Sequence, residues 1–169
     1  AFGLTIGDFN NDGKPDFAVG AEDTSEGIDI YMQNANDKFE FSSNINSGYG
    51  YDIINADIDG DDDLDLIIAG SGSNASIYTN DGSGSFTLLT NTDIATIGGF
   101  SCASGDIDGD NDIDLVFSDN SGIVTFENDG AGVFTSADTV ALSSDVWGIE
   151  IADLNADGNN DIYMRDRFG

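Results

Sequence analysis

The chain has no histidine, one cysteine (Cys102), one proline (Pro15) and four basic residues, Lys14, Lys38, Arg165 and Arg167, among 169. Each scarcity excludes something. Without an imidazole there is no histidine general base and no histidine metal ligand. Ser-His-Asp and zinc-hydrolase chemistry in their usual forms are therefore excluded. A single cysteine forms neither an internal disulfide nor a cysteine zinc site, and a buried inert thiol is the expectation for Cys102. Against the four cations stand 33 acids, a formal net charge of −29. Nucleic acid is excluded as a partner, because phosphate contacts need Lys and Arg, and an anionic membrane surface repels such a chain. The longest apolar runs, such as Leu66 to Ala69, are far too short to cross a bilayer, so no membrane insertion is expected. No leader segment is visible, and the chain opens on Ala1, as a mature product or an excised piece would.

What is present argues for a folded core. Hydrophobic residues make up 39% of the chain, with 11 Phe and 5 Tyr, too much apolar matter for an acidic disordered tail. The acids are clustered, and the clusters repeat. The segments starting at Asp8, Asp57, Asp106 and Asp153 align, with spacings of 49, 49 and 47 residues. Such a period belongs to solenoids and propellers. Six residues before each starting Asp stands an aromatic: Phe2, Tyr51, Phe100 or Trp147. These are expected as equivalent core residues packing neighbouring units, with a ligand-stacking set as the alternative.

After each acidic segment comes a short apolar run: Phe17-Ala18-Val19, Leu66-Ile67-Ile68, Leu115-Val116-Phe117 and Ile162-Tyr163-Met164. These read as buried strands. A polar loop and a second β-rich run follow, at Ile28 to Met32, Ser76 to Thr79 and Ile123 to Phe126. Then comes a tight turn, Asn80-Asp81-Gly82 or Asn128-Asp129-Gly130, with a shorter version at Asn34 to Phe39. Asp-Gly between β-rich runs signals a hairpin. No helical stripe is found. The fold class read from this is all-β: a propeller-type array of four-stranded antiparallel blades with an acidic loop between the first and second strand of each. The whole chain, 1–169, is one repeat domain with units at about 1–49, 50–98 and 99–145 and a partial fourth at 146–169.

Within each acidic loop, Asp or Asn falls at positions one, three, five and nine. In the first loop these are Asp8, Asn10, Asp12 and Asp16; in the second, Asp57, Asp59, Asp61 and Asp65. The third has Asp106, Asp108, Asp110 and Asp114; the fourth has Asp153, Asn155, Asp157 and Asp161. Alternate spacing in a tight loop turns the first three side chains onto one centre, and a hard cation such as Ca²⁺ takes six to eight oxygens there. The position-seven carbonyl, at Lys14, Asp63, Asp112 or Asn159, completes the expected set. Up to four Ca²⁺ ions, one per loop, are expected, because three or four like charges per loop repel without a counterion. Position six must bend; it is Gly13 and Gly158 in the outer loops but Asp62 and Asn111 in the middle ones. Position twelve is Val19, Ile68, Phe117 or Met164, not the acid of an EF-hand, so the loop runs straight into a strand.

The motif D-x-[DN]-x-D-G-x-x-D between strands, with an N-D-G-x-G-x-F turn downstream, resembles the FG-GAP or VCBS-type repeat, whose loop also occurs in the propeller of integrin α subunits. The resemblance spans nearly the whole chain. It implies a seven- or eight-bladed calcium-binding β-propeller of extracellular or cell-surface proteins, found in adhesins, lectin-like modules and propellers attached to polysaccharide-degrading enzymes. It carries the calcium ligands onto Asp8, Asn10, Asp12, Asp16 and their counterparts. A closed ring of such units would need roughly 340 residues or more. The chain is then a piece of a larger propeller, a set of units that closes by association, or part of an open array.

No unrepeated pair of acids suggests glycosidase chemistry, and no catalytic residue is expected. Three functions follow in order: a calcium-stabilised extracellular module for adhesion or for binding a glycan or protein, a self-assembling subunit of a surface layer or filament, and a non-catalytic propeller piece of a polysaccharide-degrading enzyme. The partners are a protein or glycan ligand, or copies of the chain itself. Asn74-Ala75-Ser76 is an N-glycosylation pattern of high chance frequency. In a meander the acidic loop and the hairpin share one end of the blade. Segments that differ between units (Ala21 to Gly27, Gly70 to Ala75, Ser118 to Gly122, and the inter-unit connections) share the other, where binding is expected.

Overall fold

The computed structural model describes residues 3–20, 27–48, 50–70, 75–90, 94, 97–119, 121–142 and 145–166. Phe2, Asn74, Arg167 and much of the variable loops, including 21–26, 71–74 and 91–93, lie outside the described residues. Among the described residues, fourteen strands form four antiparallel sheets. The first holds β1 (Leu4–Gly7), β2 (Asp16–Gly20), β3 (Ile28–Gln33) and β4 (Phe39–Ile45). The second holds β5 (Asp52–Ala56), β6 (Asp65–Ala69), β7 (Ser76–Asn80) and β8 (Phe86–Leu88). The third holds β9 (Cys102–Gly105), β10 (Asp114–Asp119), β11 (Gly122–Asn128) and β12 (Phe134–Ala141). In the fourth, β13 (Val146–Ala152) pairs with β14 (Asp161–Asp166). Strand order follows sequence order in every sheet, so each unit is a simple meander, as the repeat predicts.

The hydrophobic core lies between the sheets. Phe9, Ala18, Ile28 and Ile30 of the first unit cluster with Ile53, Leu66 and Ile68 of the second. Ile58, Ile67, Ala69 and Ile77 of the second cluster with Leu115, Phe117, Phe126 and Phe134 of the third. Ala103, Val116 and Ile123 of the third meet Val146 and Ile149 of the fourth. This explains why the second strand of each unit reads as an unbroken apolar run. Side chains alternate across a strand, so Leu66 and Ile68 face the preceding unit while Ile67 and Ala69 face the following one. All of β6 is buried. The fourth strand is the outer one: β12 is exposed after Phe134, and a bulge breaks its register between Val124 and Phe126. Bulges and polarity blunt an open edge against stray pairing.

Polar staples fix the units in register. The Asn80 side chain donates to the Phe9 carbonyl in the preceding unit at 2.8 Å and to the Leu64 carbonyl in its own at 3.2 Å. Asn128 repeats this on Ile58 and Ile113, at 2.8 and 3.0 Å. Near the first strands, the Ser101 hydroxyl donates to Asp52 of the second unit and accepts from the Ile149 amide of the fourth. Cys102 sits in the core between units two and three, where burial pushes its thiol well up, in line with an inert thiol.

The leading aromatics depart from expectation. Tyr51 and Phe100 meet edge to face at 5.5 Å, and Phe100 and Trp147 stack at 5.2 Å, so they do join neighbouring units. They are not core residues, however: Tyr51 and Phe100 are half-buried and Trp147 is exposed. Their backbone lies at the start of the first strand, Tyr51 and Phe100 just before β5 and β9 and Trp147 the second residue of β13, and the Tyr51 amide reaches the Ala69 carbonyl at the far end of β6. The row therefore runs along the end of the blades opposite the acidic loops. The core at that end is filled by the residue two further on, such as Ile53 or Ile149.

Truncating Asn80 strands the buried Phe9 carbonyl and the partly buried Leu64 carbonyl, and a buried polar group left unpaired costs about 1–3 kcal/mol. Asn80→Ala is expected to lower the unfolding free energy by about that amount in a denaturant titration. An unchanged midpoint would show that the staple is dispensable.

Candidate metal centre

Each acidic loop is built from the same backbone bends and side-chain caps. The position-one carboxylate caps the amides of positions five and six. Asp8 accepts from Asp12 at 3.1 Å and from Gly13 at 2.7 Å, and Asp153 accepts from Asp157 and Gly158 at 3.1 and 2.9 Å. Asp57 and Asp106 accept from Asp62 and Asn111 in the same way. The position-five carboxylate accepts from the position-seven amide in all four loops, for example Asp63 to Asp61 at 3.0 Å and Asp112 to Asp110 at 2.9 Å. Position six is left-handed throughout, at Gly13, Asp62, Asn111 and Gly158, with φ between 70° and 92°. The middle loops thus keep the bend without glycine, as short polar side chains permit.

Sequence reasoning missed a second left-handed position. Position four (Asn11, Gly60, Gly109, Ala156) has φ of 58°, 76°, 87° and 61°. The signal was available in two glycines and an asparagine at one register. Ala156 obscured it, since a left-handed alanine carries strain of roughly 1–2 kcal/mol.

Two bends per loop turn the alternate side chains together. Asp57, Asp59 and Asp61 bring carboxylate oxygens within 4.8 Å of one another, and so do Asp106, Asp108 and Asp114. The first and fourth loops place an amide, Asn10 or Asn155, where the others have a third acid. Asp59 carries the clearest sign of an unmet need. Its Oδ1 is buried and accepts no hydrogen bond from the described residues. Burial, then the charge of Asp61, holds its carboxyl above the usual range. A set of hard oxygens with one buried and unpaired suits a hard cation and offers nothing to a soft one.

Position nine has a role the spacing did not reveal. Asp16, Asp65 and Asp114 are fully buried. One oxygen of each accepts from the position-two amide: Phe9 at 3.0 Å, Ile58 at 3.1 Å, Ile107 at 2.7 Å. The other accepts from the end of the third strand: Gln33 at 2.7 Å, Asn80 at 2.8 Å, Asn128 at 2.9 Å. Asp161 accepts from Leu154 at 3.1 Å. The position-nine acid is thus a bracket between loop and hairpin. A carboxylate has about four lone-pair sites, so this leaves acceptor capacity for a cation. Glycine closes the hairpin over the loop. A Cβ on Gly82 or Gly130 would lie 2.6 Å from the Asp63 or Asp112 carboxylate, and both glycines have positive φ.

With this geometry in view, comparison with known families is decisive. Residues 57–117 and 106–164 match the FG-GAP-like repeat, and residues 2–28 match the FG-GAP repeat. The chain belongs to the FG-GAP repeat family. FG-GAP repeats are propeller blades, typical of extracellular proteins, generally non-catalytic and often calcium-binding. No curated protein matches the chain significantly. No helix among the described residues is long and apolar enough to cross a membrane.

Burial lifts the Asp65 carboxyl to about 6 against two backbone hydrogen bonds that lower it. A carboxyl whose pKa is higher folded than unfolded stabilises the fold when protonated, and that contribution is lost as pH rises through the folded value. Asp153 and Asp157 are shifted the other way, by backbone hydrogen bonds from Gly158 and Asn159 respectively, so a single variant must isolate the effect. In excess chelator, the stability advantage of the parent chain over Asp65→Asn is expected to shrink as pH rises from about 4 to about 7. Thermal melts across that range decide; a constant difference counts against it.

Proposed function

We propose that this FG-GAP chain is a calcium-stabilised, non-catalytic propeller module that works outside the cell by holding a protein or glycan partner. The observation that supports the calcium reading is the convergence of carboxylate oxygens in the Asp57 and Asp106 loops, two of four loops that share one pattern, with the Asp59 Oδ1 buried and unpaired. Asp8, Asn10, Asp12 and Asp16 would hold one ion with the Lys14 carbonyl, and the Asp57, Asp106 and Asp153 loops would hold three more. Bound, the ion neutralises the clustered acids and ties the first strand of a unit to its second. With no disulfide available, metal binding becomes folding free energy. Extracellular modules bind calcium at about 10⁻⁴–10⁻³ M, a level that cytosol does not reach.

The partner reading rests on the two ends of the blades. The acidic-loop end is short, repetitive and closed over by Gly82 and Gly130. The opposite end carries the half-exposed row of Tyr51, Phe100 and Trp147 and the segments that differ between units. Variable loops on a rigid scaffold are the usual seat of binding. A net charge of −29 favours a neutral or cationic partner over an anionic glycan.

Two outcomes are expected. Excess chelator lowers the melting temperature followed by circular dichroism, calcium restores it, and Asp57→Ala reduces the calcium-dependent part of the shift. A melting temperature indifferent to chelator would overturn the calcium reading. Hydrogen exchange with a bound partner should protect the end that carries Tyr51, Phe100 and Trp147. Protection confined to the acidic loops would overturn the partner assignment.

A further inference from the structure

Two junctions set a hairpin against the acidic loop of the preceding unit, and they differ at one position. At the first, loop position four is Asn11. Its side-chain amide donates to the Asp63 carboxylate at 2.6 Å and reaches the Gly82 carbonyl at 3.5 Å. At the second, position four is Gly60, which has no side chain to offer. Asp112 and Gly130 stand there in the places of Asp63 and Gly82. A Cβ added at Gly60 would meet the Gly130 carbonyl at 3.4 Å and nothing closer. The slot that Asn11 fills between units one and two is therefore open between units two and three.

The open slot is part of a cavity of about 380 Å³, lined by Asp57, Ile58, Asp112, Ile113 and Asn128 besides the two glycines. Asp59 and Asp61 do not line it, so it is distinct from the centre onto which the second acidic loop converges. Asn128 carries a second sign of a missing partner. It is 5% exposed, its Nδ2 donates to the Ile58 and Ile113 carbonyls, and its Oδ1 is buried with no hydrogen bond. At the filled junction the same oxygen of Asn80 accepts from the Gly84 amide at 3.1 Å. Three acceptors thus stand without the donor that their counterparts have: the Asp112 carboxylate, the Gly130 carbonyl and the Asn128 Oδ1.

We propose that this slot binds a primary ammonium ion carried on a short aliphatic stem. An ammonium has three N–H donors, one for each acceptor. Asp112 supplies the opposite charge with Asp57 beside it, and no basic side chain lines the cavity. Ala56 and Ile113, both half-buried, give the stem apolar ground, much as a lysine rests its methylenes on an apolar surface and keeps its head among polar groups. A calcium ion is a poorer occupant, since it takes six to eight oxygens and the slot leaves three. A water molecule brings two protons and no charge. The site lies at the acidic-loop end, apart from the row of Tyr51, Phe100 and Trp147, and it stands whether or not calcium fills the loops.

The test is an NMR titration of the isotope-labelled full chain with n-butylammonium in calcium-containing buffer near neutral pH, read at the amides of Gly60, Asn111, Asp112 and Gly130. These amides are expected to shift in a saturable way. Tetramethylammonium, a charge without N–H, and n-butanol, a stem without charge, are expected to leave them in place. Nα-acetyl-lysine amide separates two sources of the same group: binding like that of butylammonium assigns the slot to a lysine side chain, and binding of butylammonium alone assigns it to a free amine. Gly60→Asn restores the side chain that Asn11 supplies, and asparagine tolerates the left-handed φ of 76° there. It is expected to weaken butylammonium binding about tenfold or more without lowering the melting temperature. Asp112→Asn removes the charge and keeps the shape, at a loop position where the fourth unit has Asn159, and is expected to weaken binding to a similar degree. No saturable shift in the folded parent chain overturns the proposal and leaves the slot to water. Equal binding of tetramethylammonium or butanol, or undiminished affinity in Gly60→Asn, overturns it as well.

Discussion

The buried carboxylate that ends each of the first three acidic loops is the constraint on which the rest of the structure depends. Asp16, Asp65 and Asp114 each join the second residue of the loop to the last residue of the third strand. The first bond fixes where Phe9, Ile58 or Ile107 points, and these residues enter the core shared with the next unit. The second fixes Asn80 and Asn128, whose side chains reach back to the carbonyls of Phe9 and Ile58. One acid per unit thereby sets the loop, the hairpin and the seat of the neighbour. A buried charge is tolerable when its oxygens are satisfied, and here backbone amides do much of that.

The architecture was legible in the sequence because it is periodic. Strand positions, hairpins and loop boundaries all follow from the spacing of Asp8, Asp57, Asp106 and Asp153 and the apolar runs behind them. Shared features stood out against four backgrounds at once. What stayed hidden is what the linear pattern does not encode. Asp65 reads as one more oxygen in an acidic loop, and its burial appears only when Asn80, fifteen residues on, is brought beside it. The left-handed fourth position was masked by Ala156, which adopts φ of 61° against its own preference. The aromatics were assigned to the core because large apolar residues at a repeated register usually belong there. Their place at the start of the first strand, at the end away from the acidic loop, puts them at the rim instead, where they touch one another along the array.

Charge and hydrophobicity divide the work in this chain by location. The acids gather at one end of the blades, where paired bends concentrate them and a hard cation is the fitting counterion. Apolar residues gather between the sheets, where each strand offers one face forward and one back. The two meet in the loop, where Phe9, Ile58 or Ile107 enters the core and the buried acid leads into the strand. This separation lets a strongly acidic chain hold a dense core.

The placement of the core between units has a consequence for how the chain comes to be folded. A lone unit has two half-cores and nothing to close them, so no blade buries its apolar faces by itself, and stability is gained only as units stack. Energetically such a system behaves as a row of coupled elements, with each added element contributing one more interface. During synthesis, which proceeds from the N-terminus, a blade leaving the ribosome stays provisional until its successor emerges. Folding then advances as a front that trails the growing chain by one repeat. A gain or loss of a whole repeat lengthens or shortens that row without disturbing its grammar, and spacings of 49, 49 and 47 residues show that the connections absorb small changes in length.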